Sequence, residues 1–537
     1  MTTAKKIGLA LGSGVLLAAG WPSVGSATPL LFFALVPLFL LERFIASEKL
    51  EGTKSRFFPY VFLSLFTFNI LTTWWVWNAS PEGSIMAFVL NSLFLALAIQ
   101  LAHFTRLRLG NFRGNFALIF FWIAWEYFHM DWDLSWTWLT LGNGLANVPY
   151  IIQWYEYTGV FGGSLWILAS NILLVQWALK AKQHDSKMYQ MPGAIFGFKW
   201  VVWMAVPLII SSVIWEVYEE KGTPIEVVAV QPNIDPYNEK FGSLTSEVQV
   251  RKMFELAEQK TTSSTEFVIF PETAIPNGFD EDVFEDTKEF AIIQSFAQKF
   301  PNTQIIIGAS TFHLFGPNEK LSPTARTSGN GVKYDACNTA ISFRASEPSL
   351  FYHKSKMVPG VEKVPFPQLF RPLQDLIFDL GGTIGSLAGQ EERTVFESRN
   401  GHQAAPIICY ESVYGEFVGD FVNNGADILF IITNDGWWKD TPGYRQHAQY
   451  AQIRAIEHRR SIARSANTGI SCFIDQKGKT SQATGWWVPA VISSKIRANT
   501  ELTFYTKFGD ILGRTSLAFG ILLLVFAISR GLINKDN

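Results

Sequence analysis

The chain has 537 residues, of which 48% are hydrophobic, 15% are aromatic and only 17% are charged. Soluble domains carry about 25% charged residues, so this composition, with its 19 tryptophans, predicts a membrane protein of roughly two to four domains. The formal net charge of −2 gives no reason to expect a nucleic-acid partner, and three cysteines are too few for a disulfide framework.

The N-terminal part of the chain is a succession of apolar segments, each near the roughly 20 residues that span a bilayer. A Gly/Pro/Ser-rich turn joins the first two segments. Because a signal peptide has a single apolar core, we predict two helices there and not a cleaved leader. We expect seven transmembrane helices within 1–218 and an eighth within 507–531. Their predicted positions are 7–22, 29–46, 57–78, 83–104, 114–130, 159–180, 196–216 and 509–530.

The loop charges predict the orientation of these helices. Lys5 and Lys6 precede the first helix, and the loops after the second, fourth and sixth contain basic clusters that begin near Arg43, Arg106 and Lys180. The intervening turns contain acidic residues and almost no lysine or arginine. Since basic loops stay on the cytoplasmic side, both termini are expected in the cytoplasm and the long insert at 222–500 on the opposite side.

The insert has a different pattern, in which short β-rich runs alternate with helical periodicity. Buried strands that alternate with helices predict an α/β or layered α/β/α domain, and the insert is long enough for one large core. The predicted strands are 226–234, 267–270, 304–309, 338–343, 405–409, 428–432 and 469–474, and the predicted helices are 245–260, 283–299 and 444–462.

One cysteine lies in a setting that suits a nucleophile. Cys409 ends the apolar run 405–408 and precedes a turn that leads into a helical pattern. Such a strand-to-helix elbow exposes a side chain and directs backbone N–H groups towards it. A free thiol has a pKa near 8.5, so a nucleophilic cysteine needs a base or a cation nearby. On this stretch alone a buried structural cysteine is the commoner alternative, and it is the one we expect for Cys337 and Cys472.

Two other stretches contain an acid and a cation. Glu272 follows the buried run 267–270 behind a proline, where it suits a general base, although a solvated or helix-terminal charge is the alternative. Lys354 and Lys356 follow another β-rich run. A lysine in an apolar site stabilises an oxyanion, whereas a solvated strand edge would explain both lysines without chemistry.

The ordered set F-P-E-T, Y-H-K-x-K-x-V-P with a glutamate eight residues after the first lysine, and I-C-Y-E resembles the carbon-nitrogen hydrolase (nitrilase) superfamily. Those enzymes share a Glu–Lys–Cys triad on an α/β/β/α sandwich. Seven helices before such a domain and one after it are similar to the bacterial apolipoprotein N-acyltransferase family, as are the runs 227–234, 432–438, 446–447, 454–457 and 464–469. The resemblance covers essentially the whole chain. It implies the bacterial inner membrane as the location and the periplasm as the side of the 222–500 domain.

The resemblance also implies roles for individual residues. Glu272 matches the general base, Lys354 the oxyanion stabiliser and Cys409 the nucleophile. The supporting and substrate-binding positions that the resemblance implies are Glu362, Tyr410, Glu411, Phe241 and Trp437.

Two departures from the family pattern concern loops. Where the family usually has V-P-F-G-E, this chain has Gly360 and Val361 before Glu362, which keeps the spacing from Lys354 but changes the loop. After Asn233, where relatives often carry a tryptophan, the available aromatic residues include Phe241.

The reaction implied by the resemblance passes an acyl chain from a phospholipid, with phosphatidylethanolamine as the expected donor, through a cysteine thioester to the amine of a diacylglyceryl apolipoprotein. No cofactor is expected, and no metal either, because His447 and His458 lack metal-ligand neighbours in the sequence. A membrane-bound amidase that releases its acyl group to water and a non-catalytic membrane assembly protein are the alternatives. The apolar spacing in 366–378 predicts either an amphipathic lid or a helix packed on the domain core.

Overall fold

The computed structural model describes residues 1–50, 52, 56–183, 191–366 and 386–533. The chain divides into two units. One comprises Met1–Trp77, Pro81–Val217 and the residues from Phe508 onward, and the other comprises Asn78–Ser80 and Tyr218–Lys507. The predicted lid at 366–378 lies, apart from Phe366, outside the described residues.

The first unit is helical. Six of its described helices are long and apolar enough to cross a membrane, namely Thr28–Lys49, Phe58–Asn78, Pro81–Phe128, Val160–Ala181, Gly197–Val217 and Ile511–Gly531. The longest contains the predicted segment 83–104 and all but the last two residues of the predicted segment 114–130, with a non-helical backbone between them at Gly110 (φ 82°, ψ 177°). The segment predicted at 7–22 is also helical, but it is not among these six. The α-helices of this unit are α1 (Thr3–Gly20), α2 (Val36–Leu50), α3 (Phe58–Thr73), α4 (Pro81–Phe128), α5 (Tyr155–Thr158), α6 (Val160–Gln183), α7 (Met191–Val217) and the last helix, α13 (Ile511–Ile533).

The second unit is built on two β-sheets. The strands are β1 (Thr223–Gln231), β2 (Thr265–Ile269), β3 (Ile275–Asp280), β4 (Gln304–Leu314), β5 (Arg326–Thr327), β6 (Lys333–Phe343), β7 (Leu350–His353), β8 (Phe396–Glu397), β9 (Gln403–Ile408), β10 (Ile428–Thr433), β11 (Ile462–Ala466), β12 (Cys472–Ile474), β13 (Thr480–Ser481) and β14 (Ala490–Ala498). The first sheet has the order β14-β1-β2-β4-β6-β5, with β3 beside β4 and β7 beside β6, and the second has the order β13-β12-β11-β10-β9-β8. The central strands β1, β2 and β4 run parallel, as do β9, β10 and β11.

Helices cover the outer faces of the two sheets. Helices α8 (Ser246–Glu258) and α9 (Lys288–Lys299) pack on the first sheet through Phe254 and Ile293. Helices α10 (Gly415–Asn423) and α11 (Pro442–His458) follow strands of the second sheet, and α12 (Phe504–Phe508) ends the unit. The inner faces of the sheets meet where the rings of Phe267 and Phe430 lie 5.0 Å apart. The chain therefore has the predicted fold class, an α/β/β/α sandwich together with a multi-pass helical unit.

Some element boundaries in this unit differ from the prediction. The helix predicted to reach residue 462 ends at His458, because Arg459 adopts a left-handed backbone with φ 49°, and β11 begins three residues later. The strand predicted at 469–474 covers only Cys472–Ile474. Strand β14 was not predicted, because its run Ser493-Ser494-Lys495 interrupts the apolar pattern.

Candidate active site

Glu272 and Cys409 each lie in a loop that follows the carboxyl end of a strand. Glu272 lies three residues beyond β2, and Cys409 follows β9 directly. The loop around Glu272 crosses β4 at Gly308, whose N–H donates to the Pro271 carbonyl at 3.2 Å. A Cβ at Gly308 would lie 2.7 Å from the Glu272 Cα, so the close approach of the loop requires glycine.

Cys409 sits on a strained elbow. It is buried, and its φ of 50° is in the left-handed region that side-chain-bearing residues rarely adopt. A 3₁₀ turn, Cys409–Val413, connects β9 to the helix that begins at Gly415. Backbone strain of this kind is maintained by surrounding contacts and concentrates at functional sites.

Lys354 lies in the interior between the sheets. Its side chain is 1% exposed, and its Nζ lies 3.1 Å from Glu272 Oε1 and 2.7 Å from Glu362 Oε1. The backbone N–H of Lys354 donates to the Asn338 carbonyl on β6 at 2.8 Å. The alternative of a solvated strand edge is therefore wrong for Lys354.

Both carboxylate oxygens of Glu272 accept hydrogen bonds. Asn338 Nδ2 donates to Oε1 at 2.8 Å and the Asn434 backbone N–H donates to Oε2 at 3.1 Å. Burial opposes ionisation of Glu272, but the Lys354 cation and the hydrogen bond from Asn338 hold its pKa below the usual value. Sequence reasoning missed Asn338, because its strand contains other polar residues, such as Thr339, and nothing local marks Asn338 among them.

The pKa shifts of Cys409, Lys354 and Glu272 are those expected for a thiol next to a general base. Burial raises the pKa of the Cys409 thiol well above its usual value, Glu272 acts in the same direction, and Lys354 opposes it. Burial disfavours the charged form of Lys354, yet Glu272 and Glu362 raise its pKa well above the usual range. The resting site thus holds a thiol, a carboxylate and an ammonium group, which are the protonation states from which general-base activation starts.

The loop that departs from the family pattern still delivers Glu362 to Lys354. Gly360 takes φ 80°, and the Val358 carbonyl accepts from the Glu362 N–H at 2.9 Å. In return, Glu362 Oε2 accepts from the Val358 N–H at 2.9 Å, which leaves Oε1 for Lys354. This turn needs a residue with positive φ at position 360, and glycine adopts that conformation without strain.

Glu411 ties the two sheets together. Its Oε1 accepts from the Tyr352 hydroxyl at 2.7 Å and from the Ser355 N–H at 2.7 Å, and its Oε2 accepts from the Ile408 N–H at 2.8 Å. These bonds join the end of β7, which carries Lys354, to the end of β9. Tyr410 is also buried.

Phe241 and Trp437 lie against each other at the protein surface. Their rings are stacked with centroids 6.2 Å apart and an interplanar angle of 18°, and Phe241 is 57% exposed. The hydroxyl of Tyr237 donates to the Trp437 carbonyl at 2.6 Å, which fixes the adjacent loop. The two aromatic residues singled out in the sequence are therefore neighbours.

Lys240 is a further buried cation that the sequence did not reveal. Its ammonium group donates to the Glu272 carbonyl at 3.0 Å, and its own carbonyl accepts from Gln249 Nε2 at 2.8 Å. Burial lowers the pKa of Lys240 to about 7, although Glu272 acts in the opposite direction. The Lys240 side chain thus holds the backbone of Glu272 in place, and the next residue in the sequence is Phe241.

We expect Lys240→Met to slow acyl-enzyme formation about tenfold, because the Glu272 backbone loses a fixed donor. The same change should raise Tm by on the order of 5 °C at pH 6, since a buried amine no longer has to be charged. The gain should shrink between about pH 7 and pH 10, because the unfolded chain binds the proton there and the folded chain does not. Differential scanning fluorimetry at pH 6 and at about pH 10 measures the change. Lys252→Met, which removes a half-buried lysine on α8, is the control; a Lys240→Met protein with unchanged Tm at pH 6 contradicts the prediction.

His447 has more polar neighbours than its sequence context suggested. Among the described residues, two groups of side chains lie close enough to share an ion: Glu281, Cys337 and His353, and Cys409, Asp435 and His447. The expectation that His447 lacks metal-ligand neighbours is wrong, since its Nδ1 lies 2.9 Å from Asp435 Oδ1. Both ring nitrogens of His447 are within hydrogen-bond distance of protein oxygens. The absence of a metal stays a prediction.

Comparison with known proteins places both parts of the chain. Residues 13–173 match the apolipoprotein N-acyltransferase N-terminal domain, and residues 227–503 match the carbon-nitrogen hydrolase domain. An apolipoprotein N-acyltransferase of Chlorobaculum tepidum is 33% identical over 534 residues, covering 97% of this chain and 96% of the relative. One of Geobacter metallireducens is 25% identical, covering 98% of this chain and 96% of the relative.

Among solved structures, an amidase of the nitrilase superfamily from Nesterenkonia covers 55% of this chain and 98% of its own, at 13% identity and a TM-score of 0.36. The family assignment depends on the sequence relatives, whose similarity extends through the helical unit as well as the sandwich. The resemblance noted in the motifs is thereby confirmed, and the chain belongs to the apolipoprotein N-acyltransferase family.

Proposed function

We propose that this protein transfers an acyl chain from a membrane phospholipid, through a thioester on Cys409, to the α-amine of an S-diacylglyceryl-cysteine apolipoprotein. The observation that carries the proposal is the buried Glu272–Lys354 pair beside the Cys409 elbow, in a chain of this family. Phosphatidylethanolamine is the proposed donor, and no cofactor takes part.

In the first half-reaction, Cys409 Sγ attacks the ester carbonyl carbon while Glu272 takes the thiol proton. Lys354 and the Tyr410 backbone N–H stabilise the oxyanion. The bond from the acyl carbon to the glycerol oxygen then breaks, and that oxygen leaves as lysophospholipid with the proton from Glu272. Glu362 keeps Lys354 in place, which its 2.7 Å contact supports.

In the second half-reaction, the α-amine of the apolipoprotein attacks the thioester carbonyl. Glu272 takes a proton from the amine, the C–N bond forms, and the C–S bond breaks. The departing sulfur regains the proton and restores the thiol. Water must be kept from the thioester between the two steps. The exposed Phe241 and the partly exposed Trp437 are proposed to contact the lipid chains of the substrates.

We further propose that the protein lies in the bacterial inner membrane with both termini in the cytoplasm and the sandwich domain in the periplasm. The six apolar helices and the alternation of basic loops support this placement. Glu411 is proposed to position the site without touching the substrate, since its carboxylate accepts from the Tyr352 hydroxyl and from three backbone N–H groups.

The test is intact-protein mass spectrometry of the detergent-purified full chain after incubation with phosphatidylethanolamine. We expect the added mass of one acyl chain, removable by hydroxylamine, and its transfer to a diacylglyceryl-cysteine peptide more than about tenfold faster than its loss to water. Loss to water at the same rate with and without the peptide would instead support the amidase. If no phospholipid gives an adduct, the proposal fails and the assembly-protein alternative returns.

A further inference from the structure

A fully buried histidine lies directly beneath the Cys409 elbow. His447 is on α11, and its Nε2 lies 3.1 Å from the Cys409 carbonyl oxygen and 2.9 Å from Ser412 Oγ. Ser412 Oγ itself donates to the same carbonyl at 2.8 Å. Two side chains therefore converge on the one backbone oxygen that sets the orientation of the Cys409–Tyr410 peptide.

The opposite edge of the His447 ring is fixed by a buried ion pair. Asp435 Oδ1 lies 2.9 Å from His447 Nδ1, and Arg464 Nη2 lies 3.0 Å from the same nitrogen. Arg464 also donates to Asp435 Oδ2 at 2.6 Å, and Thr433 donates to Oδ1 at 2.8 Å. Burial opposes ionisation of Asp435, but Arg464 and His447 lower its pKa to about 2, so the carboxylate is a permanent anion.

The hydrogen-bond partners determine where the ring must carry a proton. A carbonyl oxygen only accepts, so His447 Nε2 must carry a hydrogen to bond Cys409. At Nδ1 each state of the ring has one hydrogen-bond partner: a bare nitrogen accepts from Arg464 Nη2, and a protonated one donates to Asp435 Oδ1. The bond to the Cys409 carbonyl therefore exists in either charge state of the ring.

The hydrogen bond from His447 to the Cys409 carbonyl affects the direction of the thiol, because the Cys409 backbone is strained. With φ at 50°, its backbone would relax to an ordinary conformation unless its neighbours held it, and relaxation would turn the thiol away from its present direction. Rates of bond formation fall about a hundredfold when a reacting atom is misplaced by 1 Å.

We propose that His447 is a positioning residue that holds the Cys409 carbonyl, and with it the left-handed elbow, through its Nε2–H, while Asp435 and Arg464 hold the ring. The proposal rests on the proposed function, since it concerns the thiol that forms the thioester. It assigns His447 a geometric role that does not depend on its charge.

The test compares two amides of different reach. Glutamine places its amide nitrogen where histidine has Nε2, whereas asparagine reaches only to the position of Nδ1. We expect His447→Asn to slow single-turnover thioester formation about a hundredfold and His447→Gln to remain within about tenfold of the wild type. The matched control is His458→Gln on the same helix, because His458 is also fully buried but bonds Gly415 and Thr506. It should lose stability without losing the acylation rate.

The pH profile separates geometry from charge. We expect His447→Gln to keep the wild-type pH dependence of acylation. A pH optimum shifted by about one unit or more, or glutamine and asparagine variants that are equally slow, would overturn the proposal in favour of a charge role. An asparagine variant with the wild-type rate would overturn it as well. If the wild type itself forms no thioester, the proposed function fails; if only the dependence on His447 is missing, the proposed function stands.

Discussion

Replacing Lys354 by methionine is expected to slow thioester formation by about a hundredfold to a thousandfold and to lower the free energy of unfolding by roughly 3–5 kcal/mol. The rate falls because the oxyanion loses a fixed positive donor. Stability falls because Glu272 and Glu362 lose the buried cation that lies 3.1 Å and 2.7 Å from their oxygens. Single-turnover mass spectrometry measures the first effect and thermal unfolding in detergent measures the second.

Two further variants make this result specific. Lys356→Met removes a partly exposed lysine two residues on, which lies over the Tyr414 ring, and it should change neither quantity much. Adding Glu362→Gln to Lys354→Met removes one of the two carboxylates left without their cation, so it should recover part of the stability and none of the rate. A Lys354→Met protein that acylates at the wild-type rate would show that Lys354 is structural only.

Replacing Cys409 by serine should abolish detectable thioester and lower the turnover by more than about a thousandfold. A hydroxyl is a far weaker acid than a thiol, and the site already raises the pKa of the group at this position through burial and Glu272. The change is nearly isosteric, so Tm should stay close to that of the wild type. Turnover is measured as transfer to a diacylglyceryl-cysteine peptide.

The other two cysteines provide matched controls for that variant. Cys337 and Cys472 are both buried thiols, and burial raises the pKa of each. Serine at either position should leave the acyl adduct on the protein intact. An adduct of acyl mass that survives Cys409→Ser but disappears with Cys337→Ser or Cys472→Ser would assign the nucleophile elsewhere.

Glu272 and Cys409 each follow an apolar run, which makes both candidates, but these stretches alone leave structural alternatives open. The ordered motif set of the superfamily is what groups them with Lys354. The alternation of strands and helices predicts an α/β or layered α/β/α domain, and the α/β/β/α sandwich is what the resemblance to the superfamily implies. Burial of Lys354 could not be derived from the lysine itself, since a strand edge explains a lysine equally well. The carboxylates of Glu272 and Glu362 that stabilise it come from other parts of the chain.

Asn338 and Lys240 reach Glu272 through strand pairing and a turn of the chain, and neither contact could be predicted from the sequence. Asn338 reaches Glu272 only because β6 pairs with β4 in a particular alignment, and no local pattern in the sequence encodes that alignment. Lys240 lies in a polar stretch that predicts a solvated loop, yet the turn folds inward onto Glu272. In the helical unit, α4 replaces two separate predicted segments, because the single non-helical residue Gly110 redirects the chain without a loop.

The pairing of β1 with β14 has a consequence for biosynthesis. These two strands are antiparallel along nine residue pairs, from Thr223 with Ala498 to Gln231 with Ala490. The first strand of the sandwich therefore has no partner on this side until the last strand has been synthesised. The sheet that bears Glu272 and Lys354 is thus incomplete until late in translation of the domain, although Cys409 on the other sheet has already been made. A growing chain therefore carries the Cys409 thiol well before the framework around Glu272 and Lys354 is finished, so we expect acylation only after β14 has been made.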